Sequence, residues 1–137
     1  MRLIMYLHQC SVRNNPKSLN NLALKTKHSY TFITEGVGSE LCGNHLVVII
    51  QNKKANIYSE KVNVLPIEGD GTKINPNYQV RLSSAELADG KLDKEPSRII
   101  VTDITTIDKA RLGRRIGRLT PECLAAVEKL LKNHLEL

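Results

Sequence analysis

Ile116-Gly117-Arg118-Leu119-Thr120-Pro121-Glu122 decides how this chain is read. The first four residues have the pattern of a last short strand. The next three begin a helix, with Thr at the N-cap, Pro at the first helical position and an acid in the first turn. Beyond them Leu124, Val127, Leu131 and Leu135 recur at three- and four-residue spacing, with Leu130 beside the stripe. The spacing predicts one amphipathic helix from about Pro121 to near the end, its stripe mainly core and in smaller part dimer contact.

Upstream of that junction the pattern is short strands and turns. Arg98-Ile99-Ile100-Val101-Thr102 is β-branched, and Ile104 to Lys109 continues from it with a turn at Asp108. Tyr78-Gln79-Val80-Arg81-Leu82 alternates apolar and polar, as a half-buried strand does. Ser83 to Leu87 reads as one helical turn capped by Ser84. Glu68-Gly69-Asp70-Gly71-Thr72 must turn. Val62 to Ile67 is a strand whose Pro66 points to an edge or a bulge. Gln51 to Asn56 reads as a polar loop. Leu46-Val-Val-Ile-Ile50 is a continuous apolar run, hence a strand buried on both faces. Ser29 to Thr34 is a further strand, and Glu35 to His45, with three glycines, is a long loop. Residues 1–24 differ in character. Asn14-Asn15-Pro16-Lys17-Ser18-Leu19-Asn20-Asn21 is polar and turn-prone, so an N-terminal extension in the form of a short helix or loose arm is expected before a domain over 25–137. Many short strands and one definite helix predict a mainly β, α+β domain: a strongly bent sheet or small barrel with a C-terminal amphipathic helix.

Composition narrows the function classes. The chain has 137 residues, 41% apolar and 25% charged, which fits one globular domain. No apolar run reaches the length of a membrane helix. The opening Met1-Arg-Leu-Ile-Met-Tyr-Leu-His8 lacks a small-residue cleavage site, so a cytoplasmic address without membrane association is expected. Three cysteines, Cys10, Cys42 and Cys123, lie far apart and form neither a disulfide framework nor a CxxC metal pair. No metal and no cofactor is expected. The net charge of +6 suits a polyanion such as RNA, an acidic protein, or plain solubility. One Phe, four Tyr and no Trp argue against an RNA binder that stacks bases on several sheet aromatics.

Three stretches together resemble the PemK/MazF toxin family. They are Val37-Gly-Ser-Glu40 followed by Val47-Val-Ile-Ile-Gln-Asn52; Tyr58-Ser59 leading into Val62–Ile67; and Thr106-Ile107-Asp108-Lys109-Ala110-Arg111-Leu112 followed by Ile116-Gly117-Arg118-Leu119-Thr120. The resemblance covers residues 25–137. It implies an SH3-like barrel with a long C-terminal helix, a homodimer, and an endoribonuclease that cleaves single-stranded RNA without metal to leave a 2′,3′-cyclic phosphate and a 5′-hydroxyl. It also implies a cognate antitoxin that blocks the groove. The residue types depart from the family at the active positions. His45, followed by Leu46, stands where the usual catalytic Arg is followed by Pro. Glu68 stands where the strand usually ends in the catalytic Thr. Thr26-Lys27-His28 replaces the Arg-Gly-Asp-type opening, and Asp103 aligns with a Gln that commonly contacts RNA. RNA contacts are carried over to Ser39, Asn44, Gln51, Asn52, Lys53 and Asp103.

Metal-free RNA cleavage needs a base for the 2′-hydroxyl, an acid for the leaving 5′-oxygen and a cation for the phosphate. A carboxylate and an imidazole can fill the first two roles at neutral pH. The sequence reading assigns Glu68 as base and His45 as acid, with the reverse also open, and draws the cation from Lys53, Lys61 or an arginine of 111–118. Two other readings fit the same residues. One is a non-catalytic RNA-binding or regulatory member of the fold. The other is a protein-interaction module occupied by an acidic antitoxin tail.

Overall fold

The computed structural model describes the backbone of Tyr6–Cys10, Phe32–Ile33 and residues 43–137, and side chains from His45 onward. Among the described residues there are nine strands: β1 (Tyr6–Cys10), β2 (Phe32–Ile33), β3 (Gly43–Ile49), β4 (Lys61–Glu68), β5 (Gln79–Leu82), β6 (Leu87–Gly90), β7 (Ser97–Ile100), β8 (Thr105–Asp108) and β9 (Leu112–Leu119). They form one antiparallel sheet in the order β5-β7-β4-β3-β1-β9-β6, with β2 on β3 and β8 on β4.

Chain geometry shows that this sheet is bent. Strands β5 and β6 are the two ends of the order, yet only residues 83–86 join them. Six flat inter-strand steps of ~4.8 Å would separate those edges by about 29 Å. Five Cα steps reach at most about 18 Å. The sheet therefore curls into an open barrel. The Ser84–Glu86 3₁₀ turn makes the join, and Thr120 N donates to Glu86 O at 2.8 Å, tying the turn to the start of the C-terminal helix. The mainly β barrel with a C-terminal helix predicted from sequence is the fold observed.

The core is double because β3 and β4 bury both faces. Val48, Leu65, Ile67, Leu82, Ile99 and Val101 pack with Cys123, Val127 and Leu131 of the helix Pro121–Leu135. Val47, Ile49, Val62, Val64 and Ile107 form a second cluster on the opposite face. Each such side chain contributes roughly 1.5–3 kcal/mol when fully buried. The helix begins as expected, with the Thr120 side chain accepting from Cys123 N at 3.2 Å. Its buried stripe is Cys123, Val127 and Leu131. Leu135 is half exposed, because the helix has run past the barrel wall by then.

Several local expectations are corrected. Residues Lys53–Tyr58 form a short helix, because the Asn52 side chain caps it by accepting from Ala55 N at 2.8 Å. Pro66 lies in a central strand. It is tolerated there because the outer edge of β4 changes partner around it: Val64 pairs with Thr105 of β8, and Ile67 with Ile99 of β7. The turn after β5 is capped by Ser83, one residue early, with its N–H on Glu86 Oε2 at 2.7 Å. Tyr6–Cys10 are neither helix nor loose arm. They form a strand between β3 and β9, since both neighbours offer unpaired backbone edges. The rest of 1–24 lies outside the described residues.

Candidate active site

Strand register brings four sequence-distant side chains into one row. Leu46 pairs with Ile67 at the end of the β3–β4 ladder, and His45 and Glu68 are the next positions along the two strands. Glu68 pairs with Arg98, and Arg98 with Arg81. Residues directly opposed on antiparallel strands share a face, with Cβ atoms roughly 5 Å apart. His45, Glu68, Arg98 and Arg81 thus cross β3, β4, β7 and β5 in order, on the face opposite Leu65, Ile67, Ile99 and Leu82.

The row is tied by charge. Arg98 Nε donates to Glu68 Oε2 at 2.9 Å, and Nη2 donates to the same oxygen. The two side chains remain 28% and 39% exposed, so solvent reaches both. Arg98 Nη1 also donates to Lys73 O at 3.3 Å. Arg81 donates from Nε to Gly71 O at 3.1 Å and from Nη2 to Thr72 O at 3.4 Å. Two arginines on neighbouring strands therefore hold three consecutive carbonyls of the loop that follows Glu68. Inside this loop the Thr72 hydroxyl and amide donate to Asp70 Oδ1 at 2.6 and 3.1 Å. Those bonds, with the Arg98 and Lys73 charges adding, hold the Asp70 carboxyl below its ordinary range.

At the His45 end of β3 a cleft of about 230 Å³ opens on the sheet face of Leu46 and Ile67, opposite the row. His45, Gly69, Asp93, Lys94 and Ser97 give it polar walls, and Leu46, Ile67, Leu92 and Ile116 an apolar floor. Ser97 is buried and donates its hydroxyl to Lys94 O at 2.8 Å, which leaves it a brace for the wall. Glu68 is not part of the cleft lining, although its neighbours Ile67 and Gly69 are. Its carboxylate is turned to Arg98. His45 and Glu68 are thus neighbouring strand positions, and of the four residues of the row only His45 contributes to the cleft lining.

The other sequence-assigned contacts separate. Ser39 lies outside the described residues, and Asn44 is described only as a backbone position in β3. Gln51 is buried, with Nε2 on Lys61 O and Oε1 accepting from Asn63 N, both at 3.3 Å. Both ends of the amide bond the backbone of β4, at Lys61 and Asn63. Asn52 is the helix cap, and Lys53 is exposed beside it. Six to eight residues of extended chain, about 20–26 Å, separate Gln51–Lys53 from His45. Asp103 is on the β7–β8 turn, where its carboxylate accepts from the Thr102 hydroxyl at 3.2 Å. Gln51, Asn52, Lys53 and Asp103 do not join the His45 end of the sheet, whereas the Asn44 backbone adjoins His45 in β3. Lys61 is at the far end of β4, while Arg115 and Arg118 are engaged with Asp89. The cation that meets Glu68 is Arg98, which sequence reasoning placed only in a strand. Its signal was weak: one arginine opening a β-branched run, matched to an acid thirty residues earlier only once register is known. No cluster of three or more metal-ligating side chains occurs among the described residues.

The family described as PemK-like, MazF-like toxin of type II toxin-antitoxin system matches residues 30–135. The chain belongs to that family. Solved structures agree on the fold. Toxin MazF-mt6 of Mycobacterium tuberculosis is 24% identical, with a TM-score of 0.59 over 72% of this chain and 92% of that one. An endoribonuclease solved with its cognate antitoxin from a mycobacterial species is 15% identical, with a TM-score of 0.63 over 100% of this chain and 97% of that one. MazF from Deinococcus radiodurans is 15% identical, with a TM-score of 0.61 over 77% and 89%.

Proposed function

We propose that the chain is a toxin that cleaves single-stranded RNA without a metal, acts as a homodimer in the cytoplasm, and is neutralised by a cognate antitoxin. The observation that carries this reading is the partly exposed row of strand positions His45–Glu68–Arg98–Arg81. It unites an imidazole, a carboxylate and two guanidiniums, the parts such a reaction requires.

The atoms balance as follows. Glu68 takes the proton of the 2′-hydroxyl as that oxygen bonds to phosphorus. His45, as imidazolium, gives its proton to the 5′-oxygen as the P–O5′ bond breaks. Arg98 faces the non-bridging oxygens. The products are a 2′,3′-cyclic phosphate and a 5′-hydroxyl, and proton exchange with water resets the pair. Each proton transfer contributes on the order of 10²–10⁴-fold. An RNA-binding or regulatory role without cleavage is favoured by one feature, the engagement of Glu68 by Arg98. Purified protein incubated with single-stranded RNA in EDTA separates the two readings. Cleavage that falls by at least about 10²-fold in both His45→Ala and Glu68→Gln supports the enzyme. Salt-sensitive binding with no product supports the regulator.

A further inference from the structure

We propose that Arg98 is the phosphodiester-binding residue of this site, held by Glu68 in the free protein and transferred to the nucleic-acid backbone when RNA arrives, with Arg81 supplying the adjacent charge. The proposal rests on the reading of this site as an RNA site, but not on cleavage.

Three observations support it. First, Arg98 turns both Nε and Nη2 to a single carboxylate oxygen of Glu68, so the guanidinium fork already holds an anion and has the two donors that a pair of phosphate oxygens would take. Second, the pair is partly exposed, at 28% and 39%, so an incoming anion reaches Arg98 without unfolding anything. An exposed ion pair of this kind is weak, so a phosphate can compete for it. Third, the loop beneath stays fixed through the exchange. Arg81 keeps Gly71 O and Thr72 O, and Gly71 N donates to Pro96 O at 2.8 Å. The transfer would also release the Glu68 carboxylate to face the ribose, so binding of substrate and readiness of the base become one event.

The test uses a 2′-O-methyl oligoribonucleotide, which lacks the nucleophilic hydroxyl and cannot be cut. Its affinity is measured by fluorescence anisotropy across a salt series. Glu68→Gln removes the internal competitor and keeps the side-chain volume, so it is expected to bind about two- to fivefold more tightly than the parent. Arg98→Gln is expected to bind more weakly, with a salt slope smaller by about 0.7 because one phosphate is no longer neutralised. Arg98→Lys keeps the charge without the fork and is expected to fall between. Arg118→Gln removes the same charge from the Asp89 region and is expected to bind as the parent does. Unchanged or weaker binding in Glu68→Gln overturns the proposal, as does an Arg98→Gln salt slope equal to the parent's in protein whose melting transition is intact. If parent protein leaves ordinary RNA uncut while these shifts hold, the cleavage reading fails and the phosphate subsite stands.

Discussion

Two glycines on either side of Asp70 offer the sharpest check on how the loop beneath the site is held. A Cβ at Gly71 would lie 2.2 Å from Ser97 O, 2.6 Å from Ser97 C and 3.0 Å from Pro96 C. All three are backbone atoms of the segment that opens β7, so neither side can yield without moving the strand that carries Arg98. A Cβ at Gly69 would lie 2.8 Å from Lys94 Cδ, an atom of a flexible side chain that can swing aside. Overpacking of the first kind costs about 1–3 kcal/mol, whereas a substitution met by a mobile side chain stays within about 0.5 kcal/mol. For a domain of this size Gly71→Ala should lower Tm by roughly 3–12 °C. It should also weaken the Arg81 bond to Gly71 O and displace the Glu68–Arg98 pair, lowering RNA cleavage more than stability alone explains. Gly69→Ala should melt within about 2 °C of the parent. Urea titration and thermal melting of the two variants, with a cleavage assay below both transitions, make the comparison. Equal stability of the two variants would refute the claim that the loop is seated on the backbone of β7.

Other consequences concern the core and the helix. Leu65→Ala removes a fully buried side chain from the main cluster and should destabilise by about 2–5 kcal/mol in urea titration. Thr120→Ala deletes the cap on Cys123 N and should cost about 0.5–2 kcal/mol, a loss that Thr120→Ser largely restores. Burial, with the Glu86 charge adding, pushes the Cys123 thiol from 9.0 up to about 12. Because the folded value is the higher one, the neutral thiol's contribution to stability is complete below pH 9 and is lost as pH rises towards 12. At pH 8 the native thiol should therefore resist alkylation that proceeds readily once urea unfolds the chain, as mass spectrometry of the Cys123 peptide would report.

The barrel and its helix were legible in sequence because each rests on local patterning. Thr120-Pro121-Glu122 starts a helix by its own chemistry, and Leu46 to Ile50 is apolar on both faces because both faces are buried. The misses were of another kind. Tyr6–Cys10 continue a short apolar run, Leu3 to Leu7, and pair with β3 and β9 on either side. Pro66 read as a signal of an edge or a bulge, and it sits where a central strand changes partners. Gln51 aligned with a family contact, but local geometry spends its amide on two backbone groups. Of the candidate site, His45 and Glu68 fall at neighbouring positions of adjacent strands, while the Glu68 carboxylate is bound to Arg98. Arg98 and Arg81 come from strands whose register relative to β4 no local pattern reveals, so their convergence is a property of topology alone.

Mass spectrometry of the ends of single-stranded RNA after incubation with the metal-stripped protein tests the central claim most directly. The account predicts fragments ending in 2′,3′-cyclic phosphate and beginning with 5′-hydroxyl, formed by the parent and absent with the His45→Ala, Glu68→Gln double variant. Intact RNA with the parent, or the same fragments from the double variant, would contradict it.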